Sequence, residues 1–131
     1  MKVLLADDSQ LILDRLQGML SDFKGAQVVA ALKNGKDSLD FIKSLNPDLV
    51  IIDINMPLLT GLQVLEAIKK ENHKAVFIIL TFYASTYFRE KAMILGADYF
   101  FSKVDDFEKV STVVSSLLAF EDKKLNTNHL N

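Results

Sequence analysis

V-L-L-A-D-D-S-Q, Val3 to Gln10, is an apolar run that stops on two adjacent carboxylates. The run is short and uninterrupted, which is the character of a strand buried on both faces. Its ending is unusual. Two ionised carboxylates repel each other by roughly 4 kcal/mol at 4 Å and an effective dielectric near 20. One of them caps the following helix, a common use of aspartate, or the pair holds a cation. Ser9 is also a competent cap, so both can be true.

Working outward, similar runs recur: V-V-A-A-L (28–32), L-V-I-I (49–52), V-F-I-I-L (76–80) and Y-F-F (99–101). Between them the apolar residues follow helical spacing. Ile12, Leu16, Met19, Leu20 and Phe23 mark the first helical face, with Gly25 as its expected stop. Asn34-Gly35 opens the second helix, and Asn46-Pro47 closes it, because a residue before proline avoids the helical region. Thr60-Gly61-Leu62-Gln63 is a capping-box pattern for a third helix that turns Leu62, Leu65 and Ile68 inward. A fourth spans about 85–95 and stops at Gly96. Asp105-Asp106-Phe107-Glu108 caps a fifth, with Phe107, Val110, Val114 and Leu117 as its buried stripe. Strand and helix thus alternate five times. Right-handed crossovers then give an α/β fold, a parallel sheet with helices on both faces.

The chain has 131 residues, half of them hydrophobic, which suits one domain with a single sizeable core. We place that domain at residues 1–122 and read 123–131 as a polar tail or the start of a linker. The net charge of −2 lacks the basic surplus of a nucleic-acid binder. The absence of cysteine excludes disulfides and thiolate metal sites. No apolar run reaches the length of a membrane span, and the N-terminal run meets two aspartates, unlike a signal peptide. A cytoplasmic protein without membrane or nucleic-acid contacts is expected. His73 and His129 read as surface residues without a role.

The polar residues fall where chemistry is expected. Asp7 and Asp8 follow the first strand, Asp53 the third, Thr81 the fourth and Lys103 the fifth. In an open parallel sheet the carboxyl ends share one edge, and ligands bind in the crevice there. Three carboxylates and one lysine leave about two negative charges, which raise pKa values or attract a cation. All-oxygen donors with room for water favour Mg²⁺ over a Ca²⁺ cage. An ion that keeps waters beside a lysine is placed for phosphoryl groups.

D-D after the first strand, D-I-N-M-P-L-L-T-G around Asp53, the threonine after the fourth strand and G-A-D-Y-F-F-S-K before the fifth helix together resemble a receiver domain of the two-component response regulators. The likeness covers roughly residues 2–120. It implies a flavodoxin-like, doubly wound (βα)5 sheet in strand order 2-1-3-4-5. It also implies phosphoryl transfer from a sensor histidine kinase, or a phosphotransfer protein, to Asp53. By the same resemblance Asp8 is a direct Mg²⁺ ligand, Asp7 assists through a water, and Asp53 and the backbone carbonyl of Asn55 complete the set. Lys103 pairs with the phosphoryl oxygens, Thr81 follows the phosphoryl group on activation, and Phe100 falls at the aromatic switch position. Tyr99, Phe100 and Phe101 are consecutive, so one of them faces away from the other two. Pro57 and Gly61 shape the loop after the acceptor. The resemblance places partner or self-dimer binding on the fourth helix, fifth strand and fifth helix, with Tyr87, Val113 and Phe120 as candidate contacts.

Two features depart from the family pattern. Val104 replaces a common proline after Lys103, so the cis bond often found there is not expected. Phe82 and Tyr83 follow Thr81, where a small residue is usual. Their bulk is expected to restrict access to Asp53, to slow hydrolysis of its phosphorylated form and to hinder small phosphodonors. Other functions remain in play at this point. A dehalogenase-type phosphohydrolase requires D-x-D after the first strand, but these aspartates are adjacent. An FMN carrier requires a phosphate-cradling loop where two carboxylates stand. Such a domain catalyses only its own phosphorylation and dephosphorylation, whether it acts alone or as the receiver portion of a DNA-binding transcription factor.

Overall fold

Each apolar run forms a strand: β1 (Lys2–Ala6), β2 (Gln27–Leu32), β3 (Leu49–Ile52), β4 (Val76–Thr81) and β5 (Tyr99–Ser102). Five helices alternate with them: α1 (Gln10–Leu20), α2 (Gly35–Leu45), α3 (Gly61–Lys70), α4 (Thr86–Ile94) and α5 (Lys109–His129). The computed structural model describes the backbone of residues 1–129 and the side chains of residues 1–125. The last two residues of the expected tail lie outside the described residues.

The strands are all parallel, in the order β2-β1-β3-β4-β5. This is the flavodoxin-like order that the resemblance implies. Alternate side chains of each strand feed opposite layers. Leu4, Val50, Ile52, Phe77 and Ile79 pack with α2, α3 and α4. Val3, Leu5, Ile51, Ile78 and Leu80 pack with α1 and α5. Full burial of each such side chain is worth about 1.5–3 kcal/mol.

Local chemistry sets the helix starts. Ser9 caps α1 by accepting the Ile12 N–H, and Asn34 caps α2 by accepting the Asp37 N–H at 2.7 Å. Thr60 and Gln63 form the reciprocal capping box of α3. Asn46 ends α2 in the left-handed region, φ 53°, immediately before Pro47. Gly96 follows α4 at φ 107°, a conformation that a side chain disfavours.

Three local expectations are corrected. Gly25 does not stop α1, which ends five residues earlier at Leu20; an added Cβ at 25 would stand 2.8 Å from Leu118, so the glycine serves packing instead. The polar stretch from 123 continues α5 as helix through His129. Leu117, Leu118, Ala119 and Glu121 in the turns just before it favour helix, and no Gly or Pro follows Gly96 to break it. Val113 is buried beneath α5 rather than offered to a partner, whereas Tyr87 and Phe120 are exposed.

Candidate functional site

The sheet ladder delivers the polar residues to one edge. The Asp7 N–H donates to Leu32 O, the Asp53 N–H to Ala6 O and the Lys103 N–H to Thr81 O, at 2.9, 3.0 and 3.0 Å. Each residue therefore continues its strand's register one step past the sheet. Ser9, not an aspartate, caps α1, which leaves both carboxylates of the opening pair free of that task.

The centre of the site is Lys103. Its Nζ lies 2.6 Å from Asp7 Oδ2 and 2.8 Å from Asp53 Oδ2, and all three side chains are almost wholly buried. Asp7 Oδ1 accepts the Ser9 N–H at 2.9 Å, and Asp53 Oδ1 accepts the Ile54 N–H at 2.7 Å. Asp8 is exposed, yet one carboxylate oxygen each from Asp7, Asp8 and Asp53 lie within 4.8 Å of one another.

One ammonium is shared by two buried carboxylates, and the electrostatics reflect this asymmetry. Burial pushes the Asp7 carboxyl above its ordinary value, and hydrogen bonds from Lys103 and the Ser9 N–H only partly offset it. Burial alone would lower Lys103. Its hydrogen bonds to Asp53 and Asp7, and their charges, outweigh that effect and hold it above the ordinary lysine range. The cluster thus carries uncompensated negative charge at an open edge. Its all-oxygen donors fit a hard divalent cation.

Thr81 is fully buried, and its Oγ1 accepts the Tyr83 N–H at 3.1 Å. Asn55 lies in the loop after β3, and its Nδ2 donates to the Tyr83 hydroxyl at 3.5 Å, across the mouth of the site. The same loop holds Leu58 in the left-handed region, φ 73°, which costs roughly 1 kcal/mol. There the Pro57 carbonyl accepts both Leu59 N–H and Gly35 N–H.

Phe82 was expected to act through bulk. In the structure its ring centroid lies 4.8 Å from Lys103 Nζ. Phe100 turns inward, away from Tyr99 and Phe101, whose rings pack 5.8 Å apart on the other face. Arg89 pins it: the guanidinium stands 4.8 Å from the ring centroid and Nη1 donates to the Phe100 carbonyl at 3.1 Å. No local sequence signal marks either contact, because each joins residues 11 or more positions apart. No cis peptide occurs among the described residues, Lys103-Val104 included. His73 lies outside this edge, in the loop before β4. It is half-buried rather than at the surface, and its Nδ1 accepts the Ala75 N–H.

Residues 3–115 match the response regulator receiver domain family, and the chain belongs to it. Among curated proteins, it is 35% identical over 118 residues to protein-glutamate methylesterase/protein-glutamine glutaminase 1 of Methanospirillum hungatei, covering 88% of this chain and 34% of that one. It is 31% identical to the transcriptional regulatory protein DesR of Bacillus subtilis, covering 88% of this chain and 57% of that one. The chain thus spans about a third to just over half of these relatives' lengths. Among solved structures, a LuxR-family DNA-binding response regulator from Staphylococcus aureus superposes with a TM-score of 0.82 at 27% identity, over 88% of this chain and 96% of that one. A chain of the CheX–CheY–BeF3–Mg²⁺ complex of Borrelia burgdorferi is a further neighbour: TM-score 0.81, 26% identity, coverage 90% and 89%. Mg²⁺ and a phosphoryl acceptor are typical of this family. No helix among the described residues is long and apolar enough to cross a membrane.

Proposed function

We propose that the domain accepts a phosphoryl group on Asp53 from a phosphohistidine of a sensor kinase or phosphotransfer protein. The observation that carries this reading is the Lys103 ammonium set between Asp7 and Asp53, with Asp8 beside them, at the carboxyl edge of the sheet. An Asp53 carboxylate oxygen forms the new bond to phosphorus while the phosphorus–nitrogen bond breaks, and the electron pair stays with the imidazole. Positioning matters more than basicity for so weak a nucleophile. Asp7, Asp8, Asp53 and the Asn55 carbonyl would hold Mg²⁺, which neutralises charge on the phosphoryl oxygens when bound. Lys103 pairs with a phosphoryl oxygen, and the Thr81 hydroxyl turns from the Tyr83 amide toward the new charge.

The chain itself catalyses only this transfer and the later hydrolysis of the aspartyl phosphate, in which water takes the phosphoryl group and inorganic phosphate leaves, and a cytoplasmic setting suits a phosphoryl group derived from ATP. Phe82 and Tyr83 restrict access to the acyl phosphate. The output surface is α4, β5 and α5, where Tyr87 and Phe120 are exposed; it engages a partner, an output domain or a second copy. Phe100 is the resemblance's switch residue, but its burial under Arg89 limits it to a change of packing. The test is labelling with a cognate sensor kinase, ATP and Mg²⁺, read by intact mass. Wild type gains one phosphoryl group and Asp53→Asn gains none. Equal labelling of the two proteins refutes the acceptor assignment.

A further inference from the structure

We propose that Phe82 is a positioning residue for Lys103. Its ring face retains the ammonium beside Asp53 when a divalent cation claims the carboxylates that otherwise hold it. The inference rests on the cation-site reading above and adds a residue to it.

The argument begins with what fixes the ammonium. Two of its three N–H groups are directed to Asp7 and Asp53, at 2.6 and 2.8 Å. Both partners belong to the three-carboxylate cluster, so the contacts that hold Lys103 are the ones a cation competes for. A divalent ion on those oxygens weakens both attractions and repels the ammonium directly. Lys103 would then be driven away when its charge is needed against the phosphoryl oxygens.

One remaining contact does not involve a carboxylate. The Phe82 ring centroid lies 4.8 Å from Nζ, within the range where an aromatic quadrupole attracts a cation. The Lys103 side chain is only 2% exposed, so this ring, not water, covers the remaining side. Phe82 itself is 62% exposed. Core packing therefore does not account for a phenylalanine here; one face covers the ammonium. The sheet makes the reach possible. Thr81 pairs with Ser102 across β4 and β5, so Phe82 and Lys103 are the next residues out on neighbouring strands.

The test compares Phe82→Leu, which keeps apolar bulk without the quadrupole, with Phe82→Tyr, which keeps both. Proton chemical shifts of the Lys103 ε-methylene are recorded with and without Mg²⁺. An upfield ring-current shift is expected in wild type and Phe82→Tyr, persisting with Mg²⁺, and absent in Phe82→Leu. With phosphoramidate and Mg²⁺, the maximal rate of Asp53 phosphorylation is expected to fall about fivefold in Phe82→Leu, the size of a modest cation–π contact, and to be retained in Phe82→Tyr. The proposal is overturned if Mg²⁺ abolishes the ring-current shift in wild type. It is also overturned if Phe82→Leu phosphorylates at the wild-type rate, or if both variants slow equally. If wild type takes up no phosphoryl group even from a phosphorylated cognate kinase, the acceptor reading has failed, and the Mg²⁺-dependent shifts alone decide the role of Phe82.

Discussion

α3 and α4 are neighbours of similar length on the same side of the sheet, yet they are held very differently. α3 buries Gly61, Leu62, Val64, Leu65 and Ile68 and starts in a reciprocal capping box. α4 buries only Ala92. Clefts lie on both sides of α4: about 480 Å³ at its start, between Tyr83, Ser85 and Val104, and about 270 Å³ between it and α3. Phe88 lines both, with Tyr83 at 6.4 Å and Tyr87 at 5.3 Å between ring centroids. A closely packed element resists rearrangement, whereas one flanked by free volume has somewhere to go. The comparison separates a frame, which carries stability, from a responsive region that runs from the mouth of the site into α4.

The largest expected effect tests the frame. Ile68→Ala should cost about 2–5 kcal/mol in urea unfolding, as for a fully buried aliphatic residue. At the mouth the sign should reverse. Asp7→Asn removes a charge that burial disfavours and keeps an acceptor for the Ser9 N–H. It should therefore raise the unfolding midpoint of the metal-free protein while weakening Mg²⁺ on the order of tenfold, measured by titration. A drop in stability equal to that of Ile68→Ala would erase the distinction between frame and mouth.

Smaller effects sharpen it. Tyr83→Ala opens the strap to Asn55 and should speed loss of the Asp53 phosphoryl group by a few-fold, on the order of the 0.5–1.5 kcal/mol of one hydrogen bond. Unchanged or slower loss would remove Tyr83 as a shield. The pH dependence of the metal-free fold should show two opposed aspartates. The Asp7 carboxyl is raised by burial, so its contribution is full below the ordinary carboxylate value and is lost as pH rises through the raised folded value. Asp106 is lowered, chiefly because it accepts the Ser102 N–H, so its contribution is present above the ordinary value and is lost as pH falls through the lowered one. Unfolding midpoints across pH for Asp7→Asn and Asp106→Asn should diverge from wild type in those opposite directions. Smallest of all, Ile94→Ala on exposed α4 should stay within about 0.5 kcal/mol of wild type.

Much of the frame was legible because its signals are local. Apolar runs gave the strands, and Asn34, Asn46-Pro47 and Thr60–Gln63 marked helix ends within a few residues. Alternation then brought Asp7, Asp8, Asp53 and Lys103 to one edge before any contact was known. What escaped was non-local or depended on competition. Gly25 resembled a helix stop, but the space beside Leu118 decides that position. Residues 123–129 lack an apolar stripe, yet nothing interrupts the helix that leads into them. Val113 was legible too: with Val110, Val114 and Leu117 it completes the i, i+3, i+4, i+7 spacing of a buried face, and assigning it to the partner surface by resemblance overrode that spacing. The Phe82–Lys103 contact joins the loops after β4 and β5, and the Arg89–Phe100 contact joins α4 to β5, so no spacing in the chain announces them.

Gly61 links the two regions at a single atom. A Cβ there would collide with the backbone carbonyl of Asp53, and the Gly61 N–H already donates to Ile54 O at 2.9 Å. The first turn of α3 is therefore seated directly on the peptide of Asp53. For anyone building a sequence library to retune this domain, the positions divide cleanly. Variation at the exposed positions 82 and 83 leaves the scaffold intact, while variation at 61 displaces the Asp53 backbone and disturbs the scaffold and the carboxylate cluster together.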